Sequence, residues 1–219
     1  MPHVIAIDGP AGAGKSTIAR ALAEKLGYIY IDTGAMYRAV ALWALRQKID
    51  TNDAHKLEQL AHAAEIELPR PGAVLLNGED ISDAIRNPEI AAAASRVAAV
   101  RAVRTALVAR QKQMAELANV VMEGRDIGTV VFPNARVKVF LDANPTERVR
   151  RRAADQPHIA PEQVACEIVQ RDERDSHRAE SPLVQAPDAV YIDSTGLTPE
   201  EVQEQILRLV RERISNGKE

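Results

Sequence analysis

Residues 9–16 read Gly9-Pro10-Ala11-Gly12-Ala13-Gly14-Lys15-Ser16, followed by Thr17 and preceded by the apolar run Val4-Ile5-Ala6-Ile7-Asp8. The spacing is G-x-x-x-x-G-K-[ST], and its residue types suit one kind of chemistry. Glycines at 9, 12 and 14 open backbone angles closed to other residues and let the chain approach a ligand closely. A helix beginning after Gly14 turns unpaired N–H groups toward an anion. Lys15 is then placed to reach terminal phosphates, and the Ser16 hydroxyl to ligate Mg²⁺. Segment 9–17 is therefore expected to cradle a nucleoside triphosphate. A glycine-rich turn with an incidental lysine is the plain alternative. The strand-like run before it and the helix-like run after it weigh against that.

Three further clusters carry charge in a pattern. Asp32-Thr33-Gly34-Ala35-Met36-Tyr37-Arg38 puts Arg38 about one turn into a helix, facing the same crevice as Lys15; a solvated helix arginine is the alternative. In Glu123-Gly124-Arg125-Asp126, glycine permits a sharp turn after a strand. Arg125 can then grip a phosphate while Asp126 accepts from a sugar hydroxyl, unless the two form only a local ion pair. In Arg171-Asp172-Glu173-Arg174-Asp175-Ser176-His177-Arg178, the arginines at 171, 174 and 178 fall on one helical face, with Asp175 between the last two. Upstream, Arg148, Arg151 and Arg152 make a similar stripe. A surface helix laced with ion pairs is the alternative for both.

The elements that must hold these groups alternate. Strand-like runs at 4–8, 28–31, 120–123, 138–141 and 190–193 are interleaved with helices, among them 16–26 and 35–47. Such alternation predicts an α/β fold, a parallel sheet of the P-loop type with helices on both faces. In open sheets of this kind, ligands bind beyond the carboxyl ends of the strands, where these clusters fall. Asn87-Pro88, Asn144-Pro145 and Thr198-Pro199 mark helix starts, and Thr198 to Glu201 fits a capping box. Two stretches break the rhythm. Residues 65–86 read as a small β insertion around Pro69-Arg70-Pro71-Gly72 and Asn77-Gly78. Residues 153–161 are polar and loop-like, which suits a mobile cover or a plain connection. The expected organisation is one domain over 1–219: a core at 1–64, 87–152 and 172–219, the insertion at 65–86, and a helical lid near 153–171.

Composition narrows the function classes. Net charge is −3, so no global basic field invites nucleic acid, although 21 of the 28 basic residues are arginine. Arginine binds phosphate bidentately; codon usage in a GC-rich genome would also raise its share. The lone cysteine excludes a disulfide framework, and the scattered histidines show no metal spacing. No signal peptide is visible, and no apolar run approaches the roughly 20 residues of a membrane span. A cytoplasmic protein, monomeric and without membrane or nucleic-acid partners, is expected.

Taken together, these segments closely resemble the bacterial cytidylate kinase family, nearly end to end. The likeness rests on the phosphate loop from Asp8 to Thr17, on Asp32 to Arg38, on Ala94-Ser95-Arg96-Val97-Ala98, on Gly124 to Pro133, and on Arg171 to Asp175. The string Gly-Arg-Asp-x-Gly-Thr-Val-Val-Phe-Pro is long and specific. The resemblance implies Mg²⁺-dependent transfer of the ATP γ-phosphoryl group to CMP or dCMP. It implies that Ser95, Arg104 and Asp175 contact the cytosine ring and that Asp126 binds the ribose. Arg38, Arg125 and Arg178 would hold the acceptor phosphate, with Tyr37 and Thr33 beside them. Arg171 and the Arg151–Arg152 pair would approach the transferring group from the lid, which is short here. Thr33 keeps the hydroxyl that serine also supplies at that position.

Elementary chemistry favours a nucleotide acceptor independently. A sugar or shikimate hydroxyl wants a carboxylate base, whereas a phosphate monoester is already about 90% dianionic at pH 7. What such an acceptor needs is neutralisation, which arginines and Mg²⁺ supply. Cytosine offers an N4 amino donor and an N3 acceptor, so Asp175 and Arg104 would favour it over uracil. Another P-loop small-molecule kinase remains the rival reading. A regulatory nucleotide switch is a more distant one, lacking an Asn/Thr-Lys-x-Asp motif here.

Overall fold

The computed structural model describes residues 2–215. The five apolar runs become β1 (Val4–Asp8), β2 (Ile29–Asp32), β6 (Val120–Gly124), β7 (Val137–Asp142) and β8 (Val190–Asp193), in one sheet of order β2-β6-β1-β7-β8. β1 runs parallel to both neighbours, Ile5 opposite Val121 on one side and Val137 on the other, and β7 runs parallel to β8. The central strands are buried on both faces, which is why they read as continuous apolar runs, while β2 and β8 keep exposed residues at the sheet edges.

The described chain falls into two compact units: residues up to Tyr30 together with those from Ala118 onward, and Ile31–Leu117. The first unit holds most of the sheet with α1 (Lys15–Leu26), α6 (Pro145–Ala154), α7 (Pro161–His177) and α8 (Pro199–Ser215). Its core joins Ile5, Ile7, Val121 and Val139 to Ile18 and Leu22 of α1 and to Val202, Ile206 and Val210 of α8. Burying such side chains is worth roughly 1.5–3 kcal/mol each. The Thr198 capping box forms as expected: Thr198 N–H donates to Glu201 Oε2 at 2.8 Å, and Glu201 N–H donates to Thr198 Oγ1 at 3.2 Å. The polar stretch expected around 153–161 is the connection between α6 and α7.

The second unit contains α2 (Thr33–Arg46), α3 (Ala54–Ala63), α4 (Pro88–Val97) and α5 (Arg101–Met114) around Met36, Val40, Leu57, Val97 and Leu107. The segment at 65–86 lies in this unit as a separate antiparallel sheet of β3 (Ile66–Glu67), β4 (Leu75–Leu76) and β5 (Glu79–Asp80). Asn77 and Gly78 both take positive φ at its tight turn, the geometry that an Asn-Gly hairpin signals. Helix α2 starts two residues earlier than its apolar pattern suggested, because the Asp32 carboxylate accepts from Ala35 N–H at 2.8 Å and caps it.

Candidate active site

In the first unit the chain leaves β1 through the phosphate loop and enters α1 without a side-chain cap, so the first N–H groups of that helix stay available to an anion. Glycine is required here by close approach. A Cβ on Gly9, whose φ is +151°, would lie 1.9 Å from the Leu141 carbonyl oxygen; one on Gly12, at φ +78°, would lie 2.7 Å from the Arg148 carbonyl oxygen. Lys15 is buried and donates Nζ to Pro10 O at 2.6 Å, spanning the loop it belongs to. Burial, and then the nearby Arg125 charge, depress the Lys15 ammonium well below its ordinary range.

Two arginines of α6 brace the loop from beneath. Arg151 donates to Ala13 O at 3.3 Å and to Ser194 Oγ and O at 2.8 Å each, while its Nε meets Glu147 at 2.7 Å. Arg148 donates to Ala11 O at 3.1 Å and pairs with Asp172. Hydrogen bonds from Arg150 and then Arg151 hold the Glu147 carboxyl down at about 2. A cleft of about 450 Å³ opens beside residues 12–18, lined also by Arg150, Arg151 and Arg152 and by Leu197, Pro199 and Val202. Its charged lining suits phosphates and its apolar lining a flat ring.

At the end of β6, the turn at Gly124 presents Arg125 and Asp126, and the chain then makes a short π-helical segment, Ile127–Val131. Asp8 fixes that turn by accepting from Ile127 N–H at 2.8 Å and Gly128 N–H at 2.7 Å. Burial outweighs those bonds and raises the Asp8 carboxyl to about 6. Around Asp175, buried on α7, three guanidinium groups converge. Arg125 Nε donates to Oδ2 at 2.9 Å, Arg171 Nε lies 4.0 Å from the same oxygen, and Arg178 lies 3.9 Å from Oδ1. Burial pushes the Asp175 carboxyl up, but the three cations outweigh it and hold the group below its ordinary value. Arg178 also stands 3.9 Å from Asp126.

The expected single face of Arg171, Arg174 and Arg178 forms only in part. Arg171 and Arg178, the latter the residue that caps α7 after His177, do flank Asp175 at helical spacing, four residues before it and three after. Arg174 is exposed and donates to Gln170 O of its own helix at 3.0 Å. Asp8, Arg148 and Asp172 also belong to this site, although the motifs that contain them do not give them a role. Their contacts with Ile127 and with Ala11 span more than a hundred residues, which no local pattern marks.

In the second unit, Asp32 Oδ2 accepts from Arg38 Nη2 at 2.9 Å, one turn into α2. Thr33, at the first position of that helix, is buried. The Arg104 guanidinium lies over the Tyr37 ring at 5.5 Å and donates to Ala98 O at 3.3 Å. Ser95 is buried on α4, and its hydroxyl meets no hydrogen-bond partner among the described residues. His55 and His62 are exposed on α3, and no group of three or more metal-ligating side chains occurs among the described residues. No helix among them is long and apolar enough to cross a membrane.

Comparison with solved structures agrees with the fold. An uncharacterized protein from Eubacterium ventriosum aligns with a TM-score of 0.56 at 12% identity over 96% of this chain and 99% of its own. A gluconokinase from Sinorhizobium meliloti aligns at 0.50 and 17% identity, over 98% and 95%. Sequence similarity goes further. The chain is 61% identical to the cytidylate kinase of Solibacter usitatus over 99% of its length and 95% of that protein's, and 50% identical to that of Geobacter sp. (strain M21) over 98% and 95%. The family model described as cytidylate kinase matches residues 5–212. With the phosphate loop, the Arg125–Asp126 turn and the arginines gathered on Asp175 all inside that match, the chain belongs to the cytidylate kinase family.

Proposed function

We propose that this chain transfers the γ-phosphoryl group of ATP to CMP or dCMP, giving ADP and CDP or dCDP. The observation that carries the reading is the gathering of Arg125, Arg171 and Arg178 within 4.0 Å of Asp175, in the same compact unit as Lys15 and the phosphate loop. A phosphate attacking a phosphate needs its charge neutralised and needs no base, so guanidinium groups suit it better than a free carboxylate.

The donor lies along residues 9–17, with Lys15 on its terminal phosphates. Mg²⁺ fits the residues present: it takes hard oxygen ligands and binds through few protein groups plus substrate phosphates. The Ser16 hydroxyl, exposed at the start of α1, would hold it. When bound, the ion supplies neutralisation of the phosphate oxygens. Arg125, Arg178 and Arg38 bind the acceptor phosphate, with Thr33 and Tyr37 beside them, and Asp126 accepts from the ribose hydroxyl. Ser95, Arg104 and Asp175 read the base; a buried hydroxyl without a protein partner is suited to a ligand group. Arg171, Arg151 and Arg152 stand on the side of the transferring group. The reading also takes the chain as a cytoplasmic monomer whose partners are small nucleotides rather than nucleic acid or membrane.

A coupled ADP-release assay with CMP, dCMP, UMP, AMP and shikimate tests it. Turnover fastest with CMP and dCMP is expected. Turnover fastest with a hydroxyl acceptor overturns it.

A further inference from the structure

Ala11, in the middle of the phosphate loop, is gripped at both of its backbone polar groups by side chains that the proposed function does not use. Its N–H donates to Asp172 Oδ1 at 3.2 Å, and its carbonyl accepts from Arg148 Nη1 at 3.1 Å. The same Arg148 nitrogen meets Asp172 Oδ2, and Arg148 Nε lies 3.7 Å from Asp142 at the end of β7. One residue on, Gly12 packs so closely on the Arg148 backbone that a Cβ would come within 2.7 Å of it. Helices α6 and α7 thus each place one charged group on one of the two peptide units that flank the Ala11 Cα.

A loop with positive φ at Gly9, Gly12 and Gly14 has much freedom to lose when it binds an anion. Anion affinity depends on having its N–H groups aimed beforehand. The carboxylate also selects among those groups, because the Ala11 N–H is already bonded to Asp172.

We propose that Asp172 and Arg148 are positioning residues for the donor nucleotide: as a charge pair they hold the Ala11 N–H and carbonyl and so pre-set the phosphate loop. The proposal rests on residues 9–17 being the donor site. Removing Asp172 frees the Ala11 N–H and leaves Arg148 without its closest carboxylate, so donor binding should suffer while acceptor binding, which uses other residues, should not.

Calorimetric titration of the full-length protein with Mg·ADP and, separately, with CMP tests this, with thermal melting alongside. Asp172→Ala is expected to weaken Mg·ADP about tenfold and to leave CMP within about twofold. Asp172→Asn keeps an acceptor for the Ala11 N–H and is expected to recover Mg·ADP binding to within about threefold of native. Native-like Mg·ADP affinity in Asp172→Ala, or equal weakening of both nucleotides, overturns the proposal. Should Asp172→Ala fail to fold, Arg148→Lys serves, since one ammonium cannot span Ala11 O, Asp172 and Asp142; the same donor-only loss is expected, and its absence is equally fatal. A native protein that binds neither nucleotide would instead sink the donor-site reading.

Discussion

Arg125 and Asp175 stand fifty residues apart in sequence and meet through one hydrogen bond of 2.9 Å, with side chains 16% and 7% exposed. Each shifts the other. The carboxylate overcomes burial to raise the Arg125 guanidinium, and the guanidinium is the largest of the charges that lower Asp175. A buried pair of this kind contributes little net stability against apolar replacements, but losing one partner leaves an uncompensated charge. Its value, on the proposed function, lies in holding Arg125 ready for the acceptor phosphate.

Arg125→Ala should lower turnover by roughly 10³-fold or more while the protein still melts cooperatively. Arg171 and Arg178 remain to compensate Asp175, so the fold survives. Near-normal turnover in the ADP-release assay would refute the role given to Arg125.

For Asp175→Asn the expected change is in preference as well as rate. An amide presents a donor as readily as an acceptor, so the discrimination of CMP over UMP should shrink by about tenfold. The ratio of kcat/KM for the two nucleotides measures it, and an unaltered ratio counts against Asp175 as a base-reading group.

Ser95→Ala separates binding from stability. Because the buried hydroxyl has no partner among the described residues, its removal should leave the melting temperature unchanged or slightly higher. If it contacts the base, KM for CMP should rise about fivefold while KM for ATP stays put. A lowered melting temperature with unchanged KM would mean a purely structural hydroxyl.

Asp8 gives a pH signature whose sign follows from burial. Its native carboxyl titrates near 6 against an ordinary 3.8, so the folded protein keeps a proton that the unfolded chain has already lost. Stability therefore falls as pH rises through that window, by about 3 kcal/mol, and levels off above it. Asp8→Asn cannot ionise. Relative to native, it should gain stability between about pH 4 and pH 7, whatever constant offset its lost backbone bond imposes. Urea unfolding at several pH values checks this, and a pH-independent difference would sink it.

Much of this was legible beforehand because it is written in short-range terms. The glycine spacing before Lys15, the apolar runs at 4–8 and 120–123, and the Thr198 capping box all depend on residues a few positions apart. Such patterns are set by backbone sterics and by periodic burial, and the structure realises them within a residue or two. The Asn77-Gly78 hairpin belongs with them.

Long-range polar pairing was hidden. Nothing local says that Asp8 spends its carboxylate on Ile127 and Gly128, that Asp172 reaches Ala11, or that Arg171 turns inward while Arg174 stays in solvent. Residue types and spacing settle which chemistry the chain carries, because glycine, lysine and arginine have few other reasons to recur in these patterns. Which charges meet, and so which arginines are held and which are free to the solvent, depends on where strands and helices end relative to one another. Only packing decides that.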